Sequence, residues 1–433
     1  MKYTLLIFIT AAITLLGCVE ADQEFSKLAP GMWRATLTLE DKVSINAGDD
    51  DMPVLQDNIE LPFNFEVKYA TEDSFYIELI NGEERITVSD IFYGRDMAVA
   101  KDTVLIRFPV FDTYIKAIYV ENVLQGEWVV NYREKYRIPF VAYHGQGHRF
   151  KTDGTPADHD LTGRWKTIFD KNTEDEYPAI GVFEQDENNL SGTFLTETGD
   201  YRYLDGMVRK NKFSLSCFDG SHAFLFRGKV MEDGKLLGTF FSGSHYKGLF
   251  ESEADEAYEL SNPFDLTKAL NIQEPLSFSF PNSEDEMVSL SDEQFDNKIK
   301  IVKIMGTWCP NCKDQTHYLL DYLESEKPDD VEVIAISFER YKEKEKGLAA
   351  IATFESNLKI PYPVLYGGYY DKAEASEKIP QISRILSYPT LLFVDKNNQI
   401  RRVHTGFAGP ATEEYKEFDK EFKKIISELR TEI

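Results

Sequence analysis

Between Pro30 and about Phe264 apolar and polar residues alternate in short runs: "MWRATLTL" at 32–39, "SFYIELI" at 74–80, "FSLSCF" at 213–218 and "KLLGTFF" at 235–241. Alternation with period two puts one strand face on a core and the other in water, and the N-G, D-G and G-D pairs between runs supply the turns. No segment there has helical periodicity, so the pattern predicts an all-β region, sandwich or barrel-like, over 30–264. "PGMWRATLTL" and "LTGRWKTIF" each open a block, while "LQGEWVVNY" and "LLGTFFSG" each close one. This suggests two related halves, about 30–145 and 158–262.

The pattern changes after the acidic "ESEADEAYE" (251–259) and the proline-containing "SNPFDLTKALNIQEP" (261–275), which place a boundary near 265–277. Beyond it, strand and helix patterns alternate. Strands are expected at 299–305, 331–338, 391–395 and 400–405, the last two joined as a hairpin by "KNNQ". Helices are expected after Cys312, at 340–358, at 374–387 and at 412–430, where Tyr415, Phe418, Phe422, Ile425 and Leu429 form a stripe. The predicted fold class is therefore multidomain: an N-terminal all-β region followed by an α/β domain over 277–433.

At the N-terminus Lys2 precedes an apolar stretch, Leu5 to Leu16, that is too short to span a bilayer, so residues 1–17 read as a secretory signal peptide. Its end, "LLGC", resembles the lipobox of bacterial lipoproteins. That resemblance implies that Cys18 becomes the lipidated first residue, with 18–29 as a polar tether. The membrane is then a partner through the N-terminal lipid. With 74 acidic against 48 basic residues, a net charge of −26 repels phosphate backbones, so no nucleic-acid partner is expected. The run "YKEKEKG" (341–347) alternates in sign and reads as a solvated helix face.

The chemistry concentrates at "IVKIMGTWCPNCKDQ", 301–315. Cys309 follows an apolar strand, and Pro310 fits the first turn of a helix. The Cys309 sulfur then faces unpaired backbone N–H groups and the positive helix end, which favour thiolate. Cys312, one turn on, can resolve a mixed disulfide. A zinc site would need a second ligand pair at suitable spacing. His317 lies five residues after Cys312 and "HGQGH" (144–148) lies in the other region, so no metal is expected. Cys217 reads as a buried small hydrophobe, with a third redox thiol as the alternative. The Gly-Ser-His triplets at 220–222 and 243–245 read as turns. Their alternative, with Arg202 and Asp205 nearby in sequence, is a polar site in the β region.

"GTWCPNC", followed by "SYPTLLFVD", a hairpin and "HTGF", resembles the thioredoxin fold, specifically the envelope-anchored TlpA-like disulfide reductases of the redoxin superfamily. The likeness spans roughly 277–431, and "FSFPNSEDEMVSLSDEQFDNKIKIVKIMGTWCPNC" is similar to their extra N-terminal hairpin. It implies Cys309 and Cys312 as the catalytic dithiol and Pro389 as a cis-proline. Tyr388 would pair its backbone with an extended substrate, and Trp308 and Pro310 would stand on the substrate rim. It further implies a disulfide reductase facing the periplasm or cell surface, with exported protein thiols and disulfides as partners and no cofactor beyond the dithiol. A membrane thiol-electron carrier would supply reductant.

Two positions depart from the family. Related reductases often carry an acid three residues after the second cysteine, where Gln315 stands here beside Asp314. The buried acid six before the first cysteine is replaced by Lys303. Two other functions fit less well. Thiol peroxidases share the fold, but their P-x-x-T-x-x-C motif meets "KIMGTWC" here. An adaptor lipoprotein with an inert thioredoxin scaffold would need neither the dithiol nor Tyr388-Pro389.

Overall fold

A computed structural model describes residues 27–39, 59–97, 100–271 and 274–431. The signal segment 1–17, Cys18 and the tether up to residue 26 lie outside the described residues.

The first β unit is an open nine-stranded antiparallel sheet. In spatial order its strands are Glu84–Val88, Ser74–Asn81, Ile59–Thr71, Gly31–Leu39, Arg137–His144, Val123–Val130, Thr113–Val120, Lys101–Phe108 and Ile91–Asp96. It is a meander in which the first strand sits centrally, between the second and the last. Trp33, Phe63, Phe65 and Trp128 fill its concave side.

The second unit closes on itself. From Tyr177–Asp186 the ladder runs through Gly163–Phe169, Tyr246–Ala254, Leu236–Ser242, Ala223–Val230, Lys212–Phe218, Leu204–Arg209 and Asn189–Thr196. Asn189–Thr196 pairs back onto Tyr177–Asp186 from Asp186↔Asn189 to Ala179↔Thr196. An eight-stranded barrel has an interior that side chains can fill. Here phenylalanines fill it, with the Phe226 ring 4.4 Å from Phe240 and 4.7 Å from Phe194. Gly238 makes room for this packing, since a Cβ there would sit 2.3 Å from the Phe250 ring. Cys217 is wholly buried in the barrel core.

The two β units therefore differ in closure, one an open curved sheet and the other a barrel. They also share a core. Phe218, at the end of a barrel strand, stacks 4.3 Å from Phe63 and stands edge-on to Trp128 at 5.3 Å.

The C-terminal sheet has the order Val364–Tyr369, Val331–Glu339, Ile299–Met305, Thr390–Val394, Ile400–Thr405. The first two pairings are parallel and the last two antiparallel. With helices Pro310–Glu326, Lys344–Leu358 and Glu414–Thr431 this is a thioredoxin fold. The small hairpin Ser279–Pro281 with Met287–Ser289 precedes it.

Two expectations are corrected here. Val364–Tyr369 is a strand that the sequence pattern did not show, because Gly367 and Gly368 interrupt its apolar run. The helix expected over 374–387 is only Lys372–Lys378. Asp371 caps its start by accepting from the Ala373 and Glu374 amides at 3.0 Å each, and Pro380 prevents continuation past Ile379. The linker is not free of the domain it precedes, since Phe264, in the short helix Pro263–Leu266, stands 4.9 Å from the His404 ring.

Candidate active site

All seven residues of Ile299–Met305 are buried, which fixes this strand at the centre of the sheet. The chain leaves it through Gly306–Cys309 and enters the helix Pro310–Glu326, whose N-cap is Cys309. The Cys309 Sγ accepts the Cys312 N–H at 3.2 Å, so the sulfur satisfies one of the open amides of the first turn. The Cys309 thiol in turn donates to the Tyr388 carbonyl at 3.5 Å, and Tyr388–Pro389 is a cis peptide.

The thiols differ in access. Cys309 is 7% exposed and Cys312 0%, so Cys309 is the sulfur open to the outside. Burial lifts the Cys312 thiol well above its ordinary range, and the hydrogen bond and charge of Cys309 add to the rise.

Lys303, wholly buried beneath the pair, donates to the Cys312 carbonyl at 2.7 Å and to the Thr316 hydroxyl. Burial brings its ammonium down to about 8, against the pull of the Cys312 and Cys309 sulfurs. An amine held there can exchange protons near neutral pH, and its charged form offsets a Cys312 thiolate. Lys303→Met should therefore slow thiol release from a preformed Cys309 mixed disulfide about tenfold at pH 7, equivalent to one pKa unit on Cys312. Rates measured from pH 6 to 10 test this. An unchanged profile removes Lys303 from the proton route.

Gln315 is buried with neither amide heteroatom hydrogen-bonded, and Asp314 turns away to Arg202 at 2.5 Å. A buried acid, Glu339, sits instead against the turn that leads to Cys309. It accepts from the Thr307 hydroxyl at 2.8 Å and the Thr307 N–H at 3.2 Å, and burial raises its carboxyl. Through these bonds it holds the turn that precedes Cys309. Trp308 is held by its indole N–H, which donates to the Phe338 carbonyl at 2.9 Å.

The β units wall the dithiol. The Ser387 hydroxyl donates to the Thr198 carbonyl at 3.3 Å, and Gly199 forms an isolated parallel bridge with Phe407. Gly199 lies so close to Asn311 that a Cβ would be 2.0 Å from its Nδ2. On the other side the Ser221 hydroxyl donates to the Trp308 carbonyl at 3.3 Å. A strand laid along Tyr388 would thus share its space with the barrel segment around Thr198.

What remains open is a cleft of about 840 Å³, lined by Trp308, Cys309, Pro310, Asn311 and Tyr388 together with barrel and first-sheet residues. A larger cavity of about 1080 Å³ shares Tyr132, Trp308 and Arg340 with it but holds no cysteine. Both Gly-Ser-His triplets are turn segments on the dithiol cleft, through His222 and His245. Gly243 (φ 54°) adopts a left-handed conformation and passes the Tyr136 hydroxyl too closely for any side chain. Arg202 does not line this cleft, and Asp205 pairs with Arg149 at 3.0 Å. Sequence reading did not single out Tyr132, Arg133, Tyr136 or Arg340, which complete the cleft. Arg340 directly precedes the charged run 341–347, which gave it no signal of its own.

Residues 272–403 match the AhpC/TSA family. No curated protein sequence matches the chain. Among solved structures the chain is similar to a thiol-disulfide oxidoreductase from Bacteroides fragilis NCTC 9343, with 19% identity over 36% of this chain and 99% of that one, TM-score 0.26. It is similar to a thiol:disulfide interchange protein of the thioredoxin family from Chlorobium tepidum TLS, with 19% identity over 35% and 97%, TM-score 0.26. StoA from Bacillus subtilis shows 19% identity over 34% and 98%, TM-score 0.25.

Proposed function

We propose that this chain, with its thioredoxin-fold domain and AhpC/TSA match over residues 272–403, is a thiol–disulfide oxidoreductase of the bacterial cell envelope acting through Cys309 and Cys312. The observation that carries the reading is the N-cap geometry: Cys309 bonded to the Cys312 amide, facing the Tyr388 carbonyl at the floor of a cleft. The Cys309 thiolate attacks one sulfur of a substrate disulfide, forming a mixed disulfide and releasing the first substrate thiolate, which takes up a proton. Cys312 then gives up its proton with Lys303 alongside and attacks the Cys309 sulfur. The Cys309–Cys312 bond closes and the second substrate thiol leaves, so two electrons have passed to the substrate. No further cofactor enters this cycle, and a membrane thiol carrier would restore the dithiol. The signal segment and Cys18 support export and lipid anchoring, and exported proteins as substrates.

The test is reduction of insulin disulfides by the pre-reduced protein, followed as release of free thiols. Cys217→Ser should leave this rate within about twofold, because the thiol sits closed off in the barrel core, where burial raises it well above its ordinary range. No insulin reduction by the native chain contradicts the proposal. A large loss in Cys217→Ser at unchanged stability would bring the barrel thiol into the cycle.

A further inference from the structure

Two guanidinium groups line the dithiol cleft, and although the buried Glu339 carboxyl lies within electrostatic reach of Arg340, it is bonded to Ser337 and Thr307 instead. Arg340 lies 4.0 Å over the Trp308 ring and 4.3 Å over Tyr370. Arg133 stands 5.5 Å from the Tyr136 ring. Tyr132 connects them, 5.5 Å from Arg340 and 5.9 Å from Arg133. Among the described residues neither arginine has a carboxylate partner, and the buried Nε of Arg340 has no hydrogen-bond partner. Two like charges on one cleft repel, and an anion bound between them relieves that repulsion.

The surroundings point the same way. His245, on the same cleft and bonded to the Tyr136 hydroxyl at 3.2 Å, is brought down to about 3 by burial and then by Arg133, Arg340 and His222. Two arginines thus converge on one cleft of a chain whose net charge is −26. Arg340, Lys303 and Lys372 all lie within electrostatic reach of Cys309. The carboxylates on the cleft are placed otherwise. Asp175 is exposed, Glu197 is half-buried beyond Thr198, and Asp200 accepts from the Gly409 and Arg202 amides. Trp128, Tyr132, Tyr136 and Phe224 supply apolar walls, which suit an organic group rather than an inorganic ion.

We infer that the cleft selects an organic disulfide bearing a carboxylate a few bonds from its sulfur, with Arg133 and Arg340 binding the carboxylate while Cys309 attacks. This rests on the oxidoreductase reading and adds a substrate class to it. The aromatic stacking of Arg340 holds its guanidinium plane, so a bidentate carboxylate meets a prepared donor. The β units thus become part of the catalytic site, setting which disulfides reach a dithiol that they already wall in.

The test uses the pre-reduced protein and three small disulfides of like size: dithiodipropionate (two carboxylates), bis(2-hydroxyethyl) disulfide (neutral) and cystamine (two ammonium groups). Single-turnover oxidation of the dithiol is followed by acid quench and alkylation. The native protein should react with the dicarboxylate at least about tenfold faster than with the neutral compound, and slowest with cystamine. Arg133→Glu should remove this preference and favour cystamine, and Arg133→Gln should bring the three rates together. The ratio within each variant cancels any change in folded fraction. Equal rates in the native protein, or a preference that survives Arg133→Glu, overturn the inference while leaving the dithiol chemistry intact. Oxidation by none of the three overturns both. A carboxylate-flanked disulfide in a twelve-residue peptide identifies the source: rates matching the dicarboxylate assign the group to a protein segment, and slower rates assign it to a small molecule.

Discussion

Arg202→Met is expected to destabilise the protein by about 3–5 kcal/mol, the cost of removing one partner from a buried charge cluster. The Arg202 guanidinium reaches Glu84 of the first sheet at 2.5 Å, Asp314 of the thioredoxin helix at 2.5 Å and Asp219 of the barrel at 3.2 Å. Its side chain is 8% exposed and Asp219 only 2%, so these charges have little water to fall back on. Burial pushes the guanidinium down, but Asp314, Glu84 and Asp219 outweigh this and hold it well above its ordinary range. Burial likewise pushes the Asp219 carboxyl up, yet His222 and Arg202 bring it well below the usual range.

The sign with pH follows. A carboxyl depressed in the fold contributes stability that is present above its unfolded value, near 4, and lost as pH falls through its folded value. The Arg202→Met defect should therefore be largest near neutrality and shrink towards pH 4, where the Asp219 carboxyl, left without Arg202, can protonate. Calorimetric unfolding from pH 4 to 8 checks both size and trend. Because Arg202 joins all three units, the variant should also unfold in more than one step. A defect below about 1 kcal/mol, or one that grows in acid, would contradict this account.

Cys309→Ser is expected to abolish disulfide reduction, at least about a thousandfold, because no other described thiol reaches the cleft. Cys312→Ser should abolish turnover equally but leave the first half-reaction, so the protein accumulates as a mixed disulfide with its substrate. The asymmetry comes from position: Cys309 lies at the cleft surface and bonds the first-turn amide, whereas Cys312 is wholly buried over Lys303. Gel mobility and intact mass under non-reducing conditions distinguish the two variants. Adducts on Cys309→Ser and none on Cys312→Ser would reverse the roles.

The dithiol, the following helix and the Tyr388-Pro389 turn were legible because each is a local feature with its own residue signature. The β character of 30–264 was equally legible from its alternation. Barrel closure was not. It depends on Asn189–Thr196 pairing with both Tyr177–Asp186 and Leu204–Arg209, and alternation reports a strand's faces rather than its neighbours. The cleft was hidden for a related reason. Its walls come from Tyr132–Tyr136, Thr198–Tyr201, His222, His245 and Arg340, which lie in turns and strand ends where no periodicity accumulates. Arg202 sits in the segment between Gly199–Asp200 and Leu204–Arg209, and nothing in "GDYRYLDG" shows that its three acids lie 118, 17 and 112 residues away.

Cys309 and Cys312 are expected to form one reversible two-electron couple. Its most direct test is a redox titration of the full chain in defined dithiothreitol buffers, with mass tagging of free thiols at each potential. A single two-electron transition is expected, in which tags on Cys309 and Cys312 vanish together, while Cys217 stays tagged after denaturation at every potential. Neither single variant should show a transition. Independent loss of the two tags, a bond involving Cys217, or a dithiol that never oxidises would contradict this.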